Sequence, residues 1–366
     1  MLRLVTKRSF STTSRVLTTA TSKPLTKAGD GFASAIGNTP LIRLANISKS
    51  TGRNIYAKAE FMNPGGSVKD RPALYIIRKA EELGLLKPGG TIVEGTAGNT
   101  GIALAHLARS LGYNCIAYMP DNLVKSKLEI MEMLGAQVFR VPVVAADDPL
   151  HFNNRAKAHA ESIENGVWAN QFNNLANRES HIETTGPEIW EQLDGKVDGF
   201  ACGLGSGGTW GGNTAYLKSK NPNLKSYVIE PPGSVVVSYF NSGFKSFVKE
   251  GSSFVEGVGA QGRVNDNVMQ DIKLADGAFL VQDTESIAML YRLIDEEGLY
   301  LGGSSALNVV AATKVAEKLP EGSNVVTILP DSAHKYSTRF FSKSWLKEKN
   351  VWDAIPDNLK KYAALD

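Results

Sequence analysis

Short apolar runs alternate with amphipathic stretches from about residue 54 onward, and this alternation leaves the chain few folds to choose from. Seven runs have strand character, at 54–59, 91–95, 114–119, 137–142, 199–204, 226–230 and 324–330. Between them the apolar spacing turns helical: Ala73, Ile76, Ile77 and Ala80 line one face of a helix that ends at Gly84. Further helical stretches cover 101–111, 127–134, 209–219, 284–297 and 305–318, and Gly112 and Gly135 stop two of them. Strands that are apolar almost throughout belong to parallel sheets covered on both faces. The expected fold class is therefore α/β. In such sheets ligands gather where strands end and helices begin.

Three strand-to-helix turns carry chemistry. In Asn63-Pro64-Gly65-Gly66-Ser67-Val68-Lys69, Ser67 is placed to cap a helix and Lys69 falls in its first turn. A lysine at the positive end of a helix dipole has a reason for a lowered pKa, and a neutral amine can hold an aldehyde as an imine. A plain surface lysine fits the same position. The second turn, Glu94-Gly95-Thr96-Ala97-Gly98-Asn99-Thr100, offers backbone N–H groups, two hydroxyls and an amide, a set that grips a carboxylate without a cation. It also reads as a glycine-rich cap with no ligand. In the third, Gly203, Gly205 and Gly208 satisfy the dinucleotide spacing, and Glu230 ends the next strand where an acid would meet a ribose. That turn suits NAD, and it suits a lone phosphate equally well.

Residues 1–29 hold six basic side chains, no Asp or Glu, and a run of Ser and Thr. That is the composition of a mitochondrial transit peptide, with a processing signal at Arg8-Ser9-Phe10. The remainder carries 34 basic against 37 acidic residues, which leaves no basic body for nucleic acid. No apolar run is long enough to span a membrane. Two scattered cysteines, Cys115 and Cys202, give neither a disulfide framework nor a metal set, and are read as buried thiols.

Taken in order, the turns resemble the cysteine synthase (O-acetylserine sulfhydrylase) family of pyridoxal-phosphate (PLP) enzymes, which are kin to cystathionine β-synthase. The resemblance runs from Ile36-Gly37-Asn38-Thr39-Pro40-Leu41 to about Lys343. It includes Asn170-Gln171-Phe172, Thr184-Thr185-Gly186-Pro187-Glu188, Gly257-Val258-Gly259 and Leu329-Pro330-Asp331-Ser332. With eight motifs in register it outweighs the NAD reading of the third turn, and with its leader the chain resembles a fungal-type mitochondrial member.

The resemblance implies two three-layer αβα domains of the tryptophan synthase β type. Residues 70–170 would form a smaller mobile domain, 30–69 with 171–345 a larger PLP-binding one, and 346–366 a C-terminal extension. It implies Lys69 as the Schiff-base and catalytic lysine, and Asn99 on the ring hydroxyl. Gly205, Ser206, Gly207, Gly208 and Thr209 would surround the phosphate, with Ser304 facing the pyridine nitrogen. Thr96, Ala97, Thr100 and Gln171 would bind the substrate carboxylate. The implied reaction makes L-cysteine from O-acetyl-L-serine and sulfide through an aminoacrylate, in a homodimer, in the mitochondrial matrix or peripherally at the outer membrane. Cysteine desulfhydrase is the alternative, and an NAD oxidoreductase a remoter one. Ala97 stands where many members carry Ser. Ala306 stands where Gly is common, and is expected to narrow the space beside the ring.

Overall fold

The structure, a computed structural model, describes residues 29–96, 98–121, 125–259 and 264–365. Residues 1–28 of the expected leader at 1–29, and Ala97, lie outside the described residues. Residues 31–366 form one compact unit.

Ten strands occur among the described residues: β1 (Leu41–Arg43), β2 (Asn54–Lys58), β3 (Thr91–Gly95), β4 (Asn114–Pro120), β5 (Gln137–Val141), β6 (Gly166–Trp168), β7 (Gly199–Gly203), β8 (Lys225–Glu230), β9 (Gly277–Leu280) and β10 (Asn324–Ile328). They make a six-stranded sheet in the order β1-β2-β10-β7-β8-β9 and a four-stranded sheet in the order β5-β4-β3-β6. Every pairing is parallel except β1 with β2. All seven strands expected from the sequence are present. The sequence pattern missed β1, β6 and β9, which are three or four residues long, too short for alternation to show.

Side chains along each central strand feed two different cores, as a sheet with both faces covered requires. In β7, Ala201 packs with the helices Asp283–Glu297 and Gly303–Ala316, while Phe200 and Cys202 pack with Trp210 and Leu217 of the helix Gly208–Lys220. In the smaller sheet, Ile92, Cys115 and Ala117 face the helices Asp70–Glu82 and Asn99–Leu111, and Val93, Ile116 and Tyr118 face Phe152–Ser162. The α/β three-layer expectation holds for both sheets. Both cysteines are buried free thiols. The segment after residue 345 is no loose tail: Leu346, Val351, Ile355 and Leu359 are buried against the larger sheet's core.

Beside the site described below lies a buried ionic cluster. Arg71 pairs with Glu60 at 2.8 Å and with Glu188 at 2.7 Å, and Lys58 pairs with Glu188 at 2.6 Å. Thr39 donates to Glu60 at 2.7 Å, and Lys58 also donates to Gln192 at 2.8 Å. These residues join β2, the turn after it and the helices at 70–82 and 186–192, so they fix where the chain enters Lys69. Burial pushes the Glu188 carboxyl up, but Arg71 and Lys58 outweigh it and hold the group at about 2.

Glu188→Gln leaves two cations sharing one carboxylate, and unfolding stability should drop by about 3 kcal/mol in a urea titration. The pH dependence has a definite sign. A carboxylate held below its unfolded value of roughly 4.3 stabilises fully above that pH, and the stabilisation is lost as the pH falls toward 2. The Gln variant should lack that part of the acid-side slope.

Candidate active site

Both sheets deliver their functional residues at the carboxyl ends of strands, as parallel sheets do. In the smaller sheet the strand order reverses between β3 and β6. The loop after β3 therefore brings Thr96, Asn99 and Thr100 beside Gln171, which follows β6. Thr100 Oγ1 donates to Gln171 Oε1 at 2.6 Å, and both residues are buried. Gln171 N and Asn170 N donate to Glu94, the buried last-but-one residue of β3, which ties the two loops together. In the larger sheet the glycine-rich turn follows β7, and the segment from Pro330 follows β10.

Lys69 stands just before the helix Asp70–Glu82, at its N-cap, instead of in its first turn. Ser67 is not that helix's cap. It makes a bridge with Asp331, and Val68 N donates to Pro330 O at 2.8 Å, so the Lys69 segment is paired to the exit of β10. Burial lowers the Lys69 pKa and ranks as the main cause. The neutral-amine expectation therefore stands on desolvation.

A cavity of about 650 Å³ is lined by Lys69, Thr96, Asn99, Thr100, Gln171, Gly205, Ser206, Gly207, Thr209 and Ser304. Gly208 lies behind its wall: a Cβ there would come within 2.1 Å of Asn177 Oδ1. Asn177 donates to Ser206 Oγ at 2.9 Å and to Gln171 O at 2.8 Å, so one buried amide holds the glycine turn against the segment after β6. Gly207 takes φ +91, a left-handed conformation that glycine adopts at little cost. Thr209 Oγ1 meets Nε2 of buried His181 at 3.1 Å, and His181 Nδ1 meets Thr185 at 2.9 Å. Burial holds His181 well below its ordinary pKa, which makes it a neutral partner for the Thr209 hydroxyl. The Ser304 hydroxyl has no hydrogen-bond partner among the described residues. Ala306 does not reach the cavity. It is fully buried in the larger core, so it cannot narrow the space beside a bound ring.

Four residues here were not anticipated as site residues: Lys127, Glu256, Lys335 and Tyr336. Lys127 and Glu256 line the cavity, Lys127 and Arg339 both pair with Glu256, and Lys127 lies 4.6 Å over the Tyr336 ring. The sequence signal for Tyr336 and Lys335 was their place just after the Leu329-Pro330-Asp331-Ser332 motif that ends β10.

These residues fit a phosphate-bearing aldehyde cofactor. A desolvated lysine lies in the cavity, with Ser206 and Thr209 at the N-terminus of a 13-residue helix to take a dianion. The unpaired Ser304 hydroxyl suits a ring nitrogen. The dinucleotide alternative loses its acid: Glu230 is fully buried and accepts from Val237 N at 2.9 Å, which caps a local helix instead of facing a ribose. The pattern described as "Pyridoxal-phosphate dependent enzyme" matches residues 32–331. The chain belongs to that family.

Among its relatives, Cysteine synthase 1 of Neurospora crassa is 54% identical over 98% of this chain and 98% of that one. Cysteine synthase 1 of Emericella nidulans is 58% identical over 92% and 91%. The crystal structure of an O-acetylserine dependent cystathionine beta-synthase from Helicobacter pylori superposes with TM-score 0.76 at 35% identity, covering 86% of this chain and 99% of that one. The fold is thus of the tryptophan synthase β-like type shared by such PLP enzymes.

Gly208→Ala should force Asn177 out of the wall and loosen the phosphate turn. PLP retention on dialysis, followed by its absorbance, should weaken about tenfold or more. Retention equal to that of the unchanged chain would show that the turn tolerates the added methyl.

Proposed function

We propose that this PLP enzyme forms L-cysteine from O-acetyl-L-serine and sulfide by β-replacement. The observation that carries the reading is the single cavity in which desolvated Lys69 and the Thr96–Thr100–Gln171 clamp come together, in a chain more than half identical to cysteine synthases over nearly its full length. PLP, when bound, stabilises negative charge developing at the substrate Cα.

The protein's part is positioning and proton handling. Lys69 holds the cofactor and, once released, moves the proton at Cα; its lowered pKa leaves it able to accept that proton. Thr96, Thr100, Gln171 and the backbone of the loop bind the α-carboxylate. Ser206, Gly207 and Thr209 would hold the phosphate, Asn99 would donate to the ring oxygen, and Ser304 would serve the ring nitrogen. A neutral serine there tempers the ring's electron demand, which suits loss of a good leaving group from Cβ. Lys127 and Glu256 add an ion pair to the cavity lining.

The same proposal takes residues 70–170 as the part that moves over the larger sheet, and the active species as a homodimer. Both rest on the family resemblance. The acid-free, arginine-bearing leader supports mitochondrial import, in the matrix or at the outer membrane surface. N-terminal sequencing of the cellular protein tests this: a start past residue 8 supports processing, and an intact leader argues against it.

Lys69→Ala should fold yet lose the yellow band and β-replacement; a borohydride-reducible cofactor bond surviving in it would remove Lys69 from its role. With purified enzyme, O-acetylserine plus sulfide should yield cysteine faster than cysteine alone yields sulfide and pyruvate. A ratio reversed by about tenfold, or about 1.4 kcal/mol in barrier, would make the enzyme a desulfhydrase. Ala306→Gly should leave that ratio unchanged, because the methyl is in the core and not in the cavity.

A further inference from the structure

The Asn99 amide is held between opposite charges. Lys335 Nζ donates to its Oδ1 at 2.7 Å. Its Nδ2 donates to Asp331 Oδ2 at 2.8 Å, and the Tyr336 hydroxyl donates to that same oxygen at 2.7 Å. Turned over, the amide would set its NH2 against an ammonium and its carbonyl against a carboxylate, exchanging two charge-assisted hydrogen bonds for two repulsions. The two charges therefore decide which end of the amide is which. Asp331 occupies one of the two N–H bonds of Nδ2. The second belongs to a residue that lines the cavity.

We propose that Lys335 is a positioning residue for the cofactor ring. By holding Oδ1 of Asn99 it keeps the second N–H available to an oxygen acceptor in the cavity. By drawing electron density toward the carbonyl it strengthens that donor. Burial lowers the Lys335 pKa, while Asp331 and Asp70 favour its ammonium and Lys127 opposes it. His106 also faces it, and burial lowers that ring's pKa, which disfavours a second cation there. The Lys335 ammonium lies near the backbone of Gly66, where a Cβ would be 3.9 Å from Nζ, so it packs against the turn that leads into Lys69.

This inference rests on the reading of the cavity as a PLP site, and the experiment separates the two. In the PLP-loaded enzyme, Lys335→Met should displace the visible band of the bound cofactor and raise its dissociation constant about tenfold, the scale of losing one charge-assisted hydrogen bond. Lys335→Arg, which can still donate to Asn99 Oδ1, should restore both. A Met variant with the unchanged band and dissociation constant overturns the proposal, even if its thermal midpoint falls, because a merely structural lysine would lower the midpoint and leave the spectrum alone. Should the Met variant be too unstable to load, Lys335→Gln keeps a donor without the charge. An intermediate spectral shift in it supports the proposal and an unchanged spectrum defeats it. If the unsubstituted chain takes up no PLP, the reading of the cavity fails first.

Discussion

The hydrogen bond from Asn99 to Asp331 is the contact on which the site depends, because it joins the start of a helix from the four-stranded sheet to the exit of β10 in the six-stranded one. Loops from both sheets line one cavity. The paired segment at Val68 and Pro330 adds Lys69 to the same junction, so three strand exits converge within one turn of chain on either side of Asp331. Burying a carboxylate there is costly unless it is bonded, and Asn99 and Tyr336 supply the bonds to its Oδ2. The polar cluster is therefore required by the convergence that forms the cavity.

The alternation of strands and helices was legible because it reports burial on both sheet faces, which seven strands satisfy over five or more residues. The motif residues were legible for a different reason. Thr96, Asn99, Thr100 and Gln171 stand at strand exits, and their polarity is conspicuous against apolar neighbours. Glu256 was not legible and Lys335 only by its place after the Leu329–Ser332 motif, since nothing in the side chain itself distinguishes a lysine or glutamate that reaches across the fold from one in solvent. Lys335 bonds Asn99 from 236 residues away, and Glu256 pairs with Lys127 and Arg339 from 129 and 83 away. Ala306 shows the converse error. Its place two residues after Ser304 suggested the cavity, but two residues along a helix turn it about 200° away, into the core.

The glycine-rich turn after β7 shows why loop spacing does not name a ligand. Gly203, Gly205 and Gly208 permit close approach of backbone, and the helix that follows favours an anion, whether one phosphate or two. What separates the cases lies outside the loop. Glu230 sits at the expected distance in sequence, yet its carboxylate is buried on the Val237 N–H. Asn177 and His181, from a segment with no glycine signature, complete the turn through Ser206 and Thr209. A motif fixes the shape of a turn, and the residues packed behind it fix its use.

The basis of Lys69's reactivity also differs from the one its position suggests. A helix N-terminus lowers a lysine pKa by a dipole that water screens within the first turn. Here the residue is at the N-cap and burial is the larger cause, so its basicity depends on how dry the cavity is. Lys127 and Arg339 meet at Glu256, and Lys127 also covers the Tyr336 ring, whose hydroxyl bonds Asp331. These contacts run from the ion pairs at Glu256 to Asp331, whose charge favours the Lys69 ammonium. Burial outweighs that attraction, so the Lys69 pKa is lowered with a carboxylate in its neighbourhood.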